Sequence, residues 1–218
     1  MGWRSMNKSN LSRRVFALLL LAAAFGVVAW LVLSGILSGI ESAVYAALAQ
    51  LISPQMNTVM IFITSFGSAF VITAVVIVLL LVPSTRFEYG VPVAVSAIVA
   101  AILIFALKEL FARPRPDILW LVTESGYSFP SGHTMSCTAL FVALLLVVFR
   151  LHSKQNARLP MLIAALVIPL LVATSRVYLG VHYTGDVLGG LILGALVALL
   201  VDTVFGQARS KSGSNPAG

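Results

Sequence analysis

Charged residues are scarce in this sequence, and acidic ones are the scarcest. Asp, Glu, Lys and Arg make up 10% of the 218 residues, with 7 acidic against 14 basic side chains. A soluble globular domain carries about 25% charged residues. Together with a hydrophobic content of 60%, this scarcity excludes an ordinary soluble domain and predicts an integral membrane protein.

The sequence has a single cysteine, Cys137, so an intramolecular disulfide is excluded. Cys137 lies in an apolar run and is predicted to be a buried, inert thiol. The formal net charge of +7 does not indicate nucleic-acid binding. The basic residues do not form one polar face but fall in short segments between apolar runs, so we expect a lipid bilayer as the partner and no nucleic acid. The sequence carries no signal for an oligomeric state.

Six apolar segments are long enough to cross a membrane. A hydrocarbon core of about 30 Å needs about 20 helical residues. The segments that qualify are residues 15–37, 58–82, 90–111, 132–149, 159–176 and 184–204. We therefore predict an all-α, polytopic membrane protein with one domain over residues 1–208. Residues 209–218 are rich in Ser, Gly and Lys and are predicted to be a disordered tail.

The segment between the first two spans, residues 38–57, is too polar and too short to be another span. Its alanines and leucines, together with Glu41 and Gln50, predict an amphipathic helix that lies at the membrane interface.

The distribution of Lys and Arg predicts the orientation. With six spans, ten of the 14 basic residues fall on the side of the termini and four fall on the other side. Cytoplasmic segments carry the excess of Lys and Arg. We therefore expect both termini in the cytoplasm, and we expect the other face to point out of the cell or into the lumen of an organelle.

Three polar blocks interrupt the apolar sequence: residues 108–116 (KELFARPRP), 130–133 (PSGH) and 175–186 (SRVYLGVHYTGD). Ionisable residues near lipid cost free energy, so their presence indicates a functional site. The blocks lie at the end of the third span, the start of the fourth, the end of the fifth and the start of the sixth. Because successive spans alternate in direction, all of these ends lie at one membrane face and can form a single site.

The first and third blocks supply cations that suit a phosphate. Lys108 offers a mobile charge, and Arg115 and Arg176 each offer a bidentate fork. Pro114 must break the preceding helix, so Arg115 is expected to fold back from a turn. A basic residue that only marks the end of a membrane span would also explain Lys108, but such residues are more frequent on the cytoplasmic side.

The second block predicts a helix start, with Ser131 as N-cap and Gly132 and His133 in the first turn, where backbone amides favour an anion. An ordinary helix cap would explain this block equally well. In the third block, His182 and Asp186 are four residues apart, so one helical turn brings the carboxylate to the imidazole. That contact fixes the tautomer, as the acid does in a hydrolase triad.

The three blocks together resemble the signature of the type 2 phosphatidic-acid phosphatase superfamily, K-x6-R-P, P-S-G-H and S-R-x5-H-x3-D. No signature position departs from that pattern, and the six spans extend the resemblance to nearly the whole chain. The resemblance implies a lipid phosphatase of the phosphatidylglycerophosphatase B or undecaprenyl pyrophosphate phosphatase type. It implies a cell-membrane enzyme with its active site on the outer face.

By that resemblance, His182 attacks phosphorus and forms a phosphohistidine, Asp186 orients His182, and His133 protonates the leaving oxygen. The phosphoryl oxygens would be held by Lys108, Arg115, Arg176, Ser131 and the amide of Gly132. These donors would replace a metal ion, so no cofactor is expected. The third histidine, His152, lies at the opposite face in this topology.

Other functions stay open at this point. The same pocket could transfer the phosphoryl group to an acceptor lipid or sugar, and a vanadate peroxidase is disfavoured because such relatives are soluble. An anion transporter would also use cations in the membrane, but no internal repeat is found. Phosphatidylglycerophosphate, undecaprenyl pyrophosphate and phosphatidic acid are the substrate classes implied. Interfacial aromatic residues could line a lateral opening for the lipid: Phe111, Trp120, Tyr127 and Phe129.

Overall fold

The computed structural model describes residues 8–151 and 155–212, and every regular element in these ranges is a helix. In chain order they are α1 Lys8–Leu33, α2 Ser38–Ala49, α3 Pro54–Ser65, α4 Ala69–Leu81, α5 Val91–Phe111, α6 Gly132–Leu151, α7 Gln155–Tyr178 and α8 Thr184–Ser212. A short π-helical turn, Arg86–Gly90, leads into α5. His152 lies outside the described residues.

Five of the described helices are long and apolar enough to span a membrane, or six spans result when the bent pair α3 and α4 counts as one. This confirms the predicted all-helical membrane architecture. The outer surface of the bundle is apolar, with Phe70 82% and Leu110 73% exposed. Large exposed apolar surfaces of this kind mark contact with lipid or a partner.

The second span is broken where the sequence predicts one continuous helix over residues 58–82. α3 and α4 meet at 43°. Ser68 caps α4 by accepting a hydrogen bond from the Val71 amide at 3.3 Å. The break brings Gly67 against α6, where an added Cβ would come within 2.4 Å of the His133 carbonyl oxygen. Only glycine permits this close approach.

The core lies between α6 and α8, which are the most buried of the spanning helices. Met135 and Ala139 of α6 pack against Leu193 and Val197 of α8, and Ala100 of α5 closes the cluster. Cys137 is buried, as predicted. Phe129 is fully buried and stacks on Phe25 at 5.7 Å between ring centroids. It also packs edge-on against Phe111 at 5.0 Å.

These ring contacts place two of the four proposed aromatic residues, Phe111 and Phe129, in a packed cluster instead of along an opening. At the other end of the bundle, Asp202 of α8 forms ion pairs with Arg14 of α1 at 2.6 Å and with Arg150 of α6 at 2.9 Å. The predicted tail, residues 209–218, overlaps the end of α8, which reaches Ser212. Residues 213–218 lie outside the described part of the chain.

Candidate active site

The three polar blocks converge at one end of the bundle. Lys108 lies in the last turn of α5, His133 in the first turn of α6, and Arg176 in the last turn of α7. His182 occupies the loop between α7 and α8, and Asp186 lies in the first turn of α8. α5 ends at Ala112, whose φ of 45° turns the chain out of the helix just before Pro114.

His182 and Asp186 form a buried pair. Nδ1 of His182 lies 3.3 Å from Oδ2 of Asp186, and their side chains are 1% and 0% exposed. The Tyr183 amide donates to the same carboxylate oxygen at 2.9 Å. On the other side of the ring, Nε2 lies 3.3 Å from Nη1 of Arg115. A guanidinium can only donate, so Nε2 carries the lone pair and Nδ1 carries the hydrogen.

The imidazole of His182 is held in its neutral form. Burial lowers its pKa to about 4, against the opposing effect of the hydrogen bond from Nδ1 to Asp186. At neutral pH the Nε2 lone pair is therefore available, which is the state that a nitrogen nucleophile requires.

Arg115 folds back from the loop after α5, as the sequence predicts. It donates to the carbonyl oxygens of Val181, Ser125 and Gly126 at 2.9, 2.8 and 3.0 Å. These contacts fix its guanidinium between the loop and His182. Burial lowers the pKa of Arg115, which the charges of Glu124 and Asp186 partly offset. The group stays cationic because arginine titrates far above neutral pH.

Arg176 is almost completely buried, with 1% of the residue exposed. It donates to the Thr64 hydroxyl at 3.1 Å, so the broken second span helps to hold it. Lys108 makes no hydrogen bond to the residues that the structure describes, and its ammonium lies within electrostatic range of Arg115, Arg176 and Glu124.

Ser131 links the second block to the third. Its amide donates to the Asp186 carbonyl oxygen at 3.0 Å, which fixes the start of α6 against the start of α8. The Ser131 hydroxyl bonds the Thr134 hydroxyl at 3.1 Å within the first turn of α6. Gly132 begins α6, and His133 follows it with 28% of its side chain exposed.

One carboxylate that sequence reasoning missed lies among the cations. Glu124, in the loop between α5 and α6, bonds the Arg176 guanidinium and lies 3.4 Å from Nη2 of Arg115. It also lies 3.9 Å from Nδ1 of His133. Burial would raise the pKa of Glu124, but the charge and hydrogen bond of Arg176 outweigh it and lower that pKa. The ionised carboxylate thus lies beside two of the cations predicted to hold a substrate phosphate, and beside the imidazole predicted to protonate the leaving oxygen.

Two further residues were missed: Arg113 contacts Asp186 of the buried pair, and Glu41 contacts Arg113. Arg113 donates to Oδ1 of Asp186 at 2.6 Å and to Oε2 of Glu41 at 2.8 Å. Its guanidinium lies over the Tyr183 ring, 4.0 Å from the centroid. The only sequence signal for Arg113 is its position next to Pro114. The sequence predicts Glu41 only as part of an interfacial helix.

A cavity of about 300 Å³ reaches His182 from the side of α2. Its walls are Glu41, Ser42 and Tyr45 from α2, residues 116–118 of the loop after α5, and Val177, His182 and Tyr183. Within the described ranges, no group of three or more His, Cys, Asp and Glu side chains is placed to hold a metal ion. This end of the bundle brings together a buried neutral imidazole, several cations and a second, partly exposed imidazole.

Known proteins resemble this chain in sequence and in fold. A family model described as the PAP2 superfamily matches residues 89–210. That segment contains all eight site residues predicted from the sequence, and Glu41 lies outside it.

The chain is 46% identical over 97 residues to phosphatidylglycerophosphatase B of Bacillus subtilis, which covers 44% of this chain and 47% of that protein. The match thus spans about half the length of that relative. The chain is also 31% identical over 151 residues to an undecaprenyl-diphosphatase of Sulfolobus acidocaldarius, and this alignment covers 66% of the chain and 68% of that protein.

A similar fold occurs in the crystal structure of a transmembrane PAP2-type phosphatidylglycerolphosphate phosphatase from Bacillus subtilis. The TM-score is 0.78 at 28% sequence identity, and the alignment covers 93% of this chain and all of the other.

Proposed function

Because this chain belongs to the PAP2 superfamily, we propose that it is an integral membrane phosphatase that hydrolyses a phosphate or pyrophosphate ester of a membrane lipid. The observation that carries the proposal is the placement of His182. Its Nδ1 is held by Asp186, and its Nε2 faces Arg115. A neutral imidazole in this setting is a nucleophile aimed at a group of cations that suits a phosphoryl group.

The proposed reaction has two displacements at phosphorus. In the first, Nε2 of His182 forms a bond to phosphorus while the bond to the lipid oxygen breaks, and His133 donates a proton to that leaving oxygen. Asp186 stabilises the positive charge that develops on His182. In the second, His133 accepts a proton from water, the water oxygen attacks phosphorus, and the N–P bond breaks to restore His182 and release phosphate.

The charge on the phosphoryl oxygens is matched by Lys108, Arg115 and Arg176, with the Ser131 hydroxyl and the Gly132 amide at the start of α6. Phosphoryl transfer depends mainly on positioning and on such charge stabilisation. We propose on this ground that turnover needs no metal ion. Glu124 balances the cations before substrate binds, and the incoming phosphate replaces its carboxylate between Arg115 and Arg176.

Three finer assignments belong to the same proposal. The excess of Lys and Arg at the terminal side supports cytoplasmic termini and an outward-facing site in the cell membrane. Residues 1–208 form the one catalytic domain. The substrate classes that the relatives' names suggest are phosphatidylglycerophosphate and undecaprenyl pyrophosphate, and phosphatidic acid is a third. An outward site favours a carrier lipid that has delivered its cargo across the membrane.

Phosphate release by the purified full-length protein tests the proposal. Phosphatidylglycerophosphate, undecaprenyl pyrophosphate, phosphatidic acid and diacylglycerol pyrophosphate are compared side by side in lipid nanodiscs with EDTA present. We expect release that vanadate inhibits and that His182→Ala abolishes. An absolute requirement for Mg²⁺, or full activity of His182→Ala, would contradict the proposed mechanism. Loss of the phosphoryl group from the substrate only when an acceptor lipid is added, with a phosphorylated acceptor as the product and no free phosphate, would favour a phosphotransferase.

A further inference from the structure

We propose that Glu41 on α2 is a positioning residue of the active site, which acts on the His182–Asp186 pair through Arg113. The inference rests on the proposed hydrolysis, because it assigns a role within that reaction. It adds to the site a helix that contributes none of the three polar blocks and that lies outside residues 89–210, the segment matched by the family model.

Arg113 binds one oxygen of the Asp186 carboxylate and leaves the other oxygen to His182 and Tyr183. Nη1 of Arg113 bonds Oδ1 at 2.6 Å. The other oxygen, Oδ2, is left to Nδ1 of His182 at 3.3 Å and to the Tyr183 amide at 2.9 Å. With Oδ1 held, the carboxylate cannot rotate to exchange its oxygens, so the direction of the His182 ring is fixed.

Glu41 in turn holds Arg113. Oε2 of Glu41 accepts from Nη2 of Arg113 at 2.8 Å, and the Glu41 side chain is 4% exposed. A guanidinium that binds two carboxylates through its two terminal nitrogens has one orientation available to it. Burial would lower the pKa of Arg113, but its hydrogen bond to Glu41 and the charge of Asp186 outweigh burial and raise it. Arg113 is thus a fixed cation between two anions.

Glu41 is anchored to the same helix that carries Asp186. Its second oxygen, Oε1, accepts from the Gly185 amide at 3.1 Å. A Cβ at position 185 would lie 2.8 Å from this oxygen and 2.5 Å from Cγ2 of Val32, so the glycine permits the approach. A buried carboxylate is costly unless its oxygens are satisfied, and here each oxygen has a donor.

The same face of α2 borders the space beside the nucleophile. Ser42 and Tyr45, the next polar residues of α2, form walls of the cavity that reaches His182. The opposite face exposes apolar residues such as Ile40, which is 61% exposed. α2 therefore turns its polar face toward the site, and Glu41 connects it to Arg113 and to the start of α8.

Kinetics separates a positioning role from a merely structural one. His182 is faced by Asp186 from α8, by Arg176 from α7, by His133 from α6 and by Arg115 from the loop after α5. Removal of the Arg113 cation leaves the Asp186 charge less balanced, which stabilises the imidazolium of His182. The acid limb of the kcat/KM profile should then move to higher pH. A loss of folded protein would lower the activity without moving this limb.

The experiment uses the full-length protein in nanodiscs, with Glu41→Gln, Arg113→Gln, Arg113→Lys and the double variant Glu41→Gln/Arg113→Gln. Glu109→Gln is the control, because Glu109 is an exposed glutamate of α5. We expect Glu41→Gln to lower kcat by about tenfold or more, because a loosened Arg113 lets the His182 ring shift, and small displacements of a catalytic group have effects of this size. KM should change little, because neither residue contacts the phosphate.

Arg113→Lys should resemble Glu41→Gln, because an ammonium cannot bind both carboxylates in the geometry of the fork. It also provides the measurement if Glu41→Gln folds poorly. The double variant should be no slower than Arg113→Gln, because both residues act through one chain of contacts.

If the wild-type protein is active, two results would overturn the inference. The first is an unchanged kcat in folded Glu41→Gln. The second is a kcat of the double variant that falls by the product of the two single losses, with the acid limb of the kcat/KM profile unmoved. A wild-type protein that hydrolyses no lipid phosphate would instead refute the proposed function and the inference together.

Discussion

Nη1 of Arg115 and Nε2 of His182 lie 3.3 Å apart, so the proposed nucleophile faces a cation before substrate arrives. The contact holds the lone pair on Nε2, and a phosphoryl oxygen that binds Arg115 comes within reach of that lone pair. The same cation opposes protonation of His182, in addition to the larger effect of burial.

The low pKa of His182 predicts how activity depends on pH. The pKa is about 4, below the ordinary value of about 6.5. Activity needs the neutral form of His182. We therefore expect the protonation of His182 to leave kcat/KM unaffected above about pH 5 and to lower it about tenfold per pH unit below about pH 4. The measurement is kcat/KM against pH, corrected for the second ionisation of the substrate phosphate by ³¹P NMR. A corrected acid limb near pH 6.5 would contradict this prediction.

Asp186→Asn should lower kcat by about 100-fold or more while the protein stays folded. The amide can no longer take up the charge that develops on His182, and it can present its NH2 group to Nδ1 and so favour the wrong tautomer. The control is Glu88→Gln in the turn before α5, at the other end of that helix from Lys108. Steady-state phosphate release and thermal unfolding in nanodiscs are measured together. Equal activity of the two variants would contradict the assignment of Asp186.

Much of this site follows from the sequence. The span count places the ends of four helices at one face, and the spacing of His182 and Asp186 predicts their contact. Arg115 folds back because Pro114 and Pro116 forbid a continued helix. These features depend on local rules, which act over a few residues.

The missed residues depend on tertiary approach. Glu41 reaches the amide of Gly185, 144 positions away, and Arg113 reaches Asp186 across 73. Glu124 lies in a loop, where the sequence has no helical periodicity from which the position of its side chain could be predicted. The break between α3 and α4 lies in a segment that is apolar enough for a continuous span, and the approach of Gly67 to His133 beside it is a tertiary contact.

Glu124→Gln should tighten the binding of vanadate by about tenfold. The carboxylate of Glu124 competes with an anion for Arg176 and Arg115. The expected gain in vanadate affinity is smaller than the full repulsion between the Glu124 carboxylate and the bound vanadate, because the Glu124 side chain of the wild-type protein can move away from the anion. Inhibition constants for vanadate are compared with those of Glu109→Gln. Weaker vanadate binding by Glu124→Gln would mean that this carboxylate supports the bound anion instead of competing with it.

Gly67→Ala should lower kcat between about tenfold and a hundredfold, because a small displacement of a catalytic group has effects of this size. The new Cβ would lie 2.4 Å from the His133 carbonyl oxygen and must push the start of α6 away. Gly39→Ala is the matched control, since no atom lies within 4 Å of its added Cβ. Phosphate release of both variants is compared at equal amounts of folded protein. The prediction fails if the two alanine variants are equally active.

The stereochemistry of the reaction at phosphorus tests the central claim, that His182 forms a covalent intermediate, most directly. The phosphoryl group of a lipid phosphate made chiral with ¹⁶O, ¹⁷O and ¹⁸O is transferred to an alcohol that replaces water in the second displacement, and the configuration of the product is read by ³¹P NMR. Two in-line displacements, the first by His182 and the second by the acceptor, predict net retention. Net inversion would show a single direct displacement and would contradict the assignment of His182 as the nucleophile.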